Sequence, residues 1–162
     1  MQTALDSAHS WFLDSITHEL NGALIVRLVE GIKGTERKFV EVVESRLGPY
    51  FPVQVKPESR CAEVRFSNAI AFFVYDESYD GPDPELKKDI GRFLFTAESS
   101  SFRKFAESTT SVAHLASEPY QEYLLCSEDR ILQVLAIEAP VVSFLKEKPN
   151  LTVERTETWS AN

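Results

Sequence analysis

The chain has 162 residues, 43% hydrophobic and 11% aromatic, with Phe the commonest aromatic at 11 copies; this composition fits one globular domain with a phenyl-rich core and excludes a disordered or low-complexity chain. Against 17 basic side chains stand 25 acidic ones, a net charge of −8, so nucleic acid is not an expected partner, whereas a basic protein or cationic ligand would be drawn inward. Cys61 and Cys126 lack CxxC spacing, the first residues carry no export signal, and no window approaches the roughly eighteen apolar residues of a membrane span, so a reduced, cytoplasmic setting with no membrane contact is expected.

Residues 1–10 carry no periodic signal and read as a frayed arm. Phe12, Ile16 and Leu20 alternate raggedly with Asp14, Ser15 and His18 as far as Asn21-Gly22, a dipeptide suited to a type I′ turn. With ALIVRLV following from Ala23, a hairpin over Phe12–Val29 is predicted, closed by the exit through Gly31 and Gly34. Phe39–Val43 (FVEVV) is assigned to a strand on its β-branching, although Glu36, Arg37, Lys38, Glu41, Glu44 and Arg46 would suit an exposed helix. Gly48-Pro49 should break that strand, and Pro52 and Pro57 should confine Tyr50–Lys56 to an edge or an irregular segment.

The organising stretch is Arg60–Tyr79, RCAEVRFSNAIAFFVYDESY. Ala62, Val64 and Phe66 alternate with Glu63 and Arg65, the period of a strand with one buried face. Ser67-Asn68 offers a turn, and the nearly uninterrupted apolar run Ala69–Tyr75 is expected to return beside it as a central strand covered on both faces. Asp76–Asp89, with Gly81, Pro82 and Pro84, reads as a surface loop, and Ile90–Thr96 as a strand. Ser99–Ser101 can cap a short helix whose Phe102, Phe105 and Ala106 share one face, so both phenyl rings should lie on the sheet. Ser108–Glu118 reads as an irregular connection with one helical turn at Val112–Leu115. Tyr120–Cys126 and Ile131–Ile137 form a hairpin around Ser127–Arg130, ended by Ala139-Pro140, and Val141–Leu145 follows as a strand or helical turn. Leu151, Val153 and Trp159 alternate with charges in the tail. The expected fold is α+β, one domain over 1–162: a predominantly antiparallel β-sheet built from hairpins with one or two short helices packed on it, and tails at 1–10 and 150–162 that are disordered or add edge strands.

His9, His18 and His114 are isolated, without the spacing zinc ligands use, so no metal or cofactor is expected. Gly31-Ile32-Lys33-Gly34-Thr35 lacks the spacing of a phosphate loop, and GxSxG, HExxH and GxGxxG are absent. Asn150-Leu151-Thr152 matches the glycosylation sequon, a chance match without export. The acids Asp76, Glu77, Asp80, Asp83 and Glu85 cluster in one loop but do not follow the EF-hand order. Tyr75 and Tyr79 flank them, which makes Tyr75, Asp76, Glu77, Ser78, Tyr79 and Asp80 a candidate contact surface for a basic protein. The leading expectation is therefore a non-enzymatic interaction module. One alternative is an enzyme using Asp76 with Glu77, or Cys126 with His114; another is a small-ligand binder with an aromatic cavity between the sheet and the Phe102/Phe105 helix. An unpaired edge strand would allow a homodimer.

Three segments, FSNAIAFFVYDESY (66–79), SSSFRKFAESTT (99–110) and EPYQEYLLCSEDRILQVLAIEAPVV (118–142), together resemble a family of small, single-domain bacterial proteins of uncharacterised role. In that family a strand ends in an Asn-Glu-Ser-Tyr-like tetrad, here Asp76-Glu77-Ser78-Tyr79, and a late hairpin closes with Val and then Glu and Pro, here Val134 with Glu138-Ala139-Pro140. The resemblance covers about residues 60–145 and implies bacterial origin and a compact β-rich domain. It carries no catalytic residue across. Proteins of similar size and acidity include immunity proteins that block a toxin, an analogy that fits a basic partner.

Overall fold

The computed structural model describes residues 1–42, 45–116, 118–155 and 157–161. In chain order the strands are β1 (Ser10–His18), β2 (Leu24–Lys33), β3 (Lys38–Val42), β4 (Ser45–Gln54), β5 (Cys61–Phe66), β6 (Ala69–Asp76), β7 (Lys87–Lys88), β8 (Leu94–Ser99), β9 (Gln121–Cys126), β10 (Arg130–Ala136), β11 (Val141–Leu145) and β12 (Thr158–Ser160). Two helices, α1 (Ser101–Thr109) and α2 (Val112–Leu115), follow β8. The expected sheet-dominated α+β architecture is observed, with every strand pair antiparallel. Val43 of the predicted third strand and its neighbour Glu44, Ser117 of the 108–118 connection, and Thr156 in the tail lie outside the described residues.

The strands divide between two sheets. In the first, β2 pairs with β1 on one hand and β5 on the other, β11 adds to β5, and the far end of β2 meets β4, which also carries β3 and β12. The second runs β6-β10-β9-β8-β7. Alternation along the strands sends Leu24, Val26 and Leu28 of β2 and Ala62, Val64 and Phe66 of β5 into one core with Leu94, Tyr123, Leu125, Leu132, Val134 and Ala136 of the second sheet. The Phe66 and Tyr123 rings, 5.8 Å apart, join the two layers. Burying each large apolar side chain contributes about 1.5–3 kcal/mol. The β9–β10 turn also ties the layers: the Glu128 N–H donates to the Trp11 carbonyl (2.8 Å) and Asp129 Oδ1 accepts from the Leu13 N–H (2.9 Å). That acceptor lies where β1 slips register between Leu13 and Ser15, the bulge that makes its alternation ragged.

Several expectations are corrected. β5 and β6 do not pair: after Ser67-Asn68 the chain changes sheets, β5 joining β2 and β11 while β6 joins β10. β6 is therefore an edge strand, not a central one. The first hairpin forms as predicted, but around the loop Leu20–Gly22: Glu19 N–H donates to Ala23 O, Gly22 N–H donates to Glu19 O, and Gly22 takes φ +85 in place of a two-residue type I′ turn. β2 continues through Gly31, where a Cβ would stand 2.3 Å from Ser10 Oγ and 2.8 Å from Val53, so a glycine there extends the strand by close packing instead of ending it. Gly48-Pro49, a cis peptide, lies within β4 as an irregularity opposite β3 and does not break it.

The N-terminal arm is held. Leu5 is fully buried in a 3-10 turn over Ala4–Ser7, its carbonyl accepts from Trp11 Nε1 (3.0 Å), and the Met1 amino group pairs with Asp89. β8 begins at Leu94, not Ile90, which is 98% exposed in the preceding bend. The 76–89 loop includes a 3-10 turn over Glu77–Tyr79 and ends in β7. Val141–Leu145 is a strand, the 112–115 turn is helical, and the tail adds β12 to the edge of β4. Among the described residues, no helix is long and apolar enough to cross a membrane.

Candidate functional site

Among the described residues β6 pairs with β10 alone, and from Ala69 to Tyr75 it carries no charge. Its register sets Phe73 across from Gln133 and Tyr75 across from Ile131, on the sheet face turned away from the core. Helix α1 and the 77–85 loop stand over that face, where Phe102, Tyr79 and Asp80 line one groove with Phe73.

The helix starts where it does because Ser100 caps it, Oγ accepting from the Arg103 N–H (2.9 Å). Asp83 fastens the loop to the same end: one carboxylate accepts from the Ser101 N–H (2.8 Å), the Ser101 hydroxyl (2.6 Å) and the Glu85 N–H (2.9 Å), and Glu85 pairs with Lys104 at 2.6 Å. This anchorage places Phe102 against Phe73, ring centroids 6.2 Å apart and planes at 20°, with Tyr75 5.2 Å further along from Phe73. Phe105, one helical turn on, does not lie on the sheet as expected. Ala106 is the buried contact, and Phe105 is 63% exposed. The result is an open groove of about 800 Å³ floored by Phe73 and Phe102 and walled by Tyr75, Tyr79, Asp80 and Phe105.

Charge is distributed unevenly along the rim. Asp76 receives the Ser78 N–H (3.0 Å) and Arg130 (2.6 Å), and those Ser78 hydrogen bonds, helped by the Arg130 charge, hold its carboxyl below the usual range. Burial pushes Asp83 up, but hydrogen bonds from Ser101 and Glu85 more than offset it and leave it lowered. Asp80 accepts the Tyr75 hydroxyl at 2.7 Å; burial, then that bond, pushes the phenol up. Among the described residues neither Glu77 nor Asp80 has a basic partner, so the loop's uncompensated charge lies there. Of the sequence candidates, Tyr75, Tyr79 and Asp80 meet in the groove. Asp76 and Ser78 form the turn beside it, and Glu77 does not line the groove, its N–H donating to the Asp129 carbonyl (3.2 Å) at the β9–β10 turn.

The enzymatic alternatives find different surroundings. Cys126 sits with Tyr75, Leu86, Lys88, Leu124, Ile131 and Gln133, none of them histidine, and burial pushes its thiol up to about 11, far from a thiolate at neutral pH. His114 lies on α2. The Asp76 carboxylate is taken up by the Ser78 N–H and Arg130, and among the described residues no hydrogen bond joins it to Glu77. Among the described residues, no group of three or more His, Cys, Asp or Glu is placed to hold a metal ion.

One residue beneath the site escaped the sequence reading. Glu122 of β9 is 0% exposed, its carboxylate taking the Ser100 hydroxyl at 2.7 and 2.8 Å, and burial raises its pKa. The available signal was a lone charge within the apolar strand QEYLLC. No family model, no curated protein and no solved structure matches the chain.

Proposed function

We propose that the protein is a non-enzymatic interaction module whose groove grips cationic side chains of a basic protein partner. The observation that carries this reading is that exposed rings, Tyr79 at 84% and Phe105 at 63%, flank the Asp80 carboxylate, which has no basic partner among the described residues, over a floor of stacked phenyl rings. Rings and carboxylates together suit lysine and arginine: a cation over an aromatic face gains about 0.5–2 kcal/mol, and the flexible stem lies on the apolar floor. A net charge of −8 brings such a partner in faster. Inhibition of a basic toxin, the immunity-type role, is one form this activity takes by analogy, and the free thiols of Cys61 and Cys126 suit a cytoplasmic site of action.

The test is a titration by fluorescence anisotropy with a labelled peptide of alternating Arg and Val, against its Glu-Val counterpart. Wild type binds the basic peptide, and Tyr79→Ala and Phe105→Ala each weaken it at least fivefold. Equal binding by wild type and both variants means that diffuse charge alone attracts the peptide, and the groove reading fails. A small apolar ligand is the second reading, favoured by the groove's volume of about 800 Å³. Compounds that raise the melting temperature while basic peptides do not bind would support it.

A further inference from the structure

We infer that the cationic side chain this groove selects is arginine, and that Gln133 on its floor makes the choice by accepting a guanidinium N–H. The inference rests on the groove reading above and narrows it to one side chain.

Gln133 is a polar residue that the fold leaves unanswered. It is 7% exposed, and the register of β10 sets it between Phe73 of β6 and Leu124 of β9. Its carboxamide has no hydrogen-bond partner among the described residues, yet it lines the groove. A buried amide without a protein partner is disfavoured unless water or a ligand completes it, so the occupant is polar where it meets Gln133.

The rest of the lining sets the sign of that occupant. Among the described residues no Lys, Arg or His lines the groove, whereas Asp80 and Asp83 do. Asp83 is taken up by Ser101 and the Glu85 N–H, but the Asp80 carboxylate accepts only the Tyr75 hydroxyl and has lone pairs to offer. A cation fits, and an anion does not. Gln133 and Asp80 also border a second cavity of about 470 Å³, but Lys88 lines that one, its Nζ 4.0 Å from the Phe95 ring centre, and repels a further cation.

The acceptors separate arginine from lysine. A guanidinium is planar, weakly hydrated and carries five N–H groups, so it can lie on the face of Phe102 or Tyr79 while its edges reach the Asp80 carboxylate and the Gln133 carbonyl. The NH2 end of the carboxamide keeps the groove's water. A lysine ammonium is compact and strongly hydrated, and against this aromatic lining it loses water that one carboxylate and one amide replace only in part.

The experiment is fluorescence anisotropy with two labelled peptides of equal length and charge, one alternating Arg with Val and the other Lys with Val. Wild type should bind the arginine peptide at least about fivefold more tightly. Gln133→Met, which keeps the length and removes the amide, should lower that preference to below about twofold with unchanged circular dichroism. Gln133→Glu keeps an acceptor oxygen and should retain the preference. A wild type that binds both peptides alike overturns the inference, as does a Gln133→Met that keeps the preference or a Gln133→Glu that loses it. If that equal binding weakens in Tyr79→Ala, the groove reading survives the loss of arginine selection; binding of neither peptide removes both.

Discussion

Replacing Asp83 by Ala tests how the groove is assembled. That carboxylate accepts three hydrogen bonds, from the Ser101 N–H, the Ser101 hydroxyl and the Glu85 N–H, at 2.6–2.9 Å. Beside it, the loop is tied to this end of α1 by the exposed Glu85–Lys104 pair and by the Ser99 hydroxyl, which donates to the Glu85 carbonyl at 2.7 Å. Losing a charged acceptor of helix-end N–H groups costs about 0.5–2 kcal/mol, and because these bonds are partly open to water we expect 1–2 kcal/mol at pH 7. For a chain of this size that lowers the melting temperature by about 2–8 °C, at roughly 2–4 °C per kcal/mol. The pH dependence has a definite sign. The Asp83 carboxyl is depressed in the fold, so its contribution is complete above the unfolded value near 3.9 and disappears as pH falls through the lower folded value. Urea unfolding at pH 7 and at pH 2.5 should therefore show a gap between wild type and Asp83→Ala that narrows at the lower pH. Asp83→Asn, which keeps an acceptor without charge, should fall between. A gap below about 0.3 kcal/mol at pH 7, or one that does not narrow as pH falls below the unfolded value near 3.9, would refute the anchoring role.

Glu122 predicts the opposite slope: burial raises its pKa in the fold, so the ionised form opposes folding, and Glu122→Gln should gain stability over wild type as pH rises from 4 to 8, read from urea midpoints. A difference independent of pH would contradict that placement. Leu132→Ala, at the centre of the layer between the sheets, should cost about 2–5 kcal/mol, whereas exposed Phe105→Ala should stay within about 0.5 kcal/mol in denaturant titrations. Cys126, with its thiol pushed up to about 11, should resist iodoacetamide at pH 7.5 in the native protein and react in urea, as followed by intact mass.

What local pattern could specify, the residues specified. Apolar runs on both sides of Ser127–Arg130 predict β9 and β10, and the structure pairs Ile131 with Cys126. The serines before Phe102 predict α1, and Ser100 is its cap. Ser67-Asn68, however, has the composition of a hairpin turn while its strands enter different sheets, because the choice between pairing with β5 and pairing with β10 is made by contacts some sixty residues away in sequence. The apolar run Ala69–Tyr75 looked buried for the same reason: periodicity reports what a strand could bury, not whether a neighbour arrives. At the site, Tyr75, Tyr79 and Asp80 were legible as aromatic and acidic neighbours, and Phe102 and Phe105 as a helical pair. That they form one groove depends on the Asp83 anchor and on β6 leaving the sheet of β5.

That departure is the hinge of the account, and cross-strand nuclear Overhauser contacts test it most directly. Backbone proton contacts should join Phe73 with Gln133 and Val64 with Val142, the observed pairings of β6 with β10 and of β5 with β11. Contacts linking Val64 or Phe66 to the backbone of Ala69–Phe73 in a β5–β6 ladder would contradict it and remove the groove along with the edge.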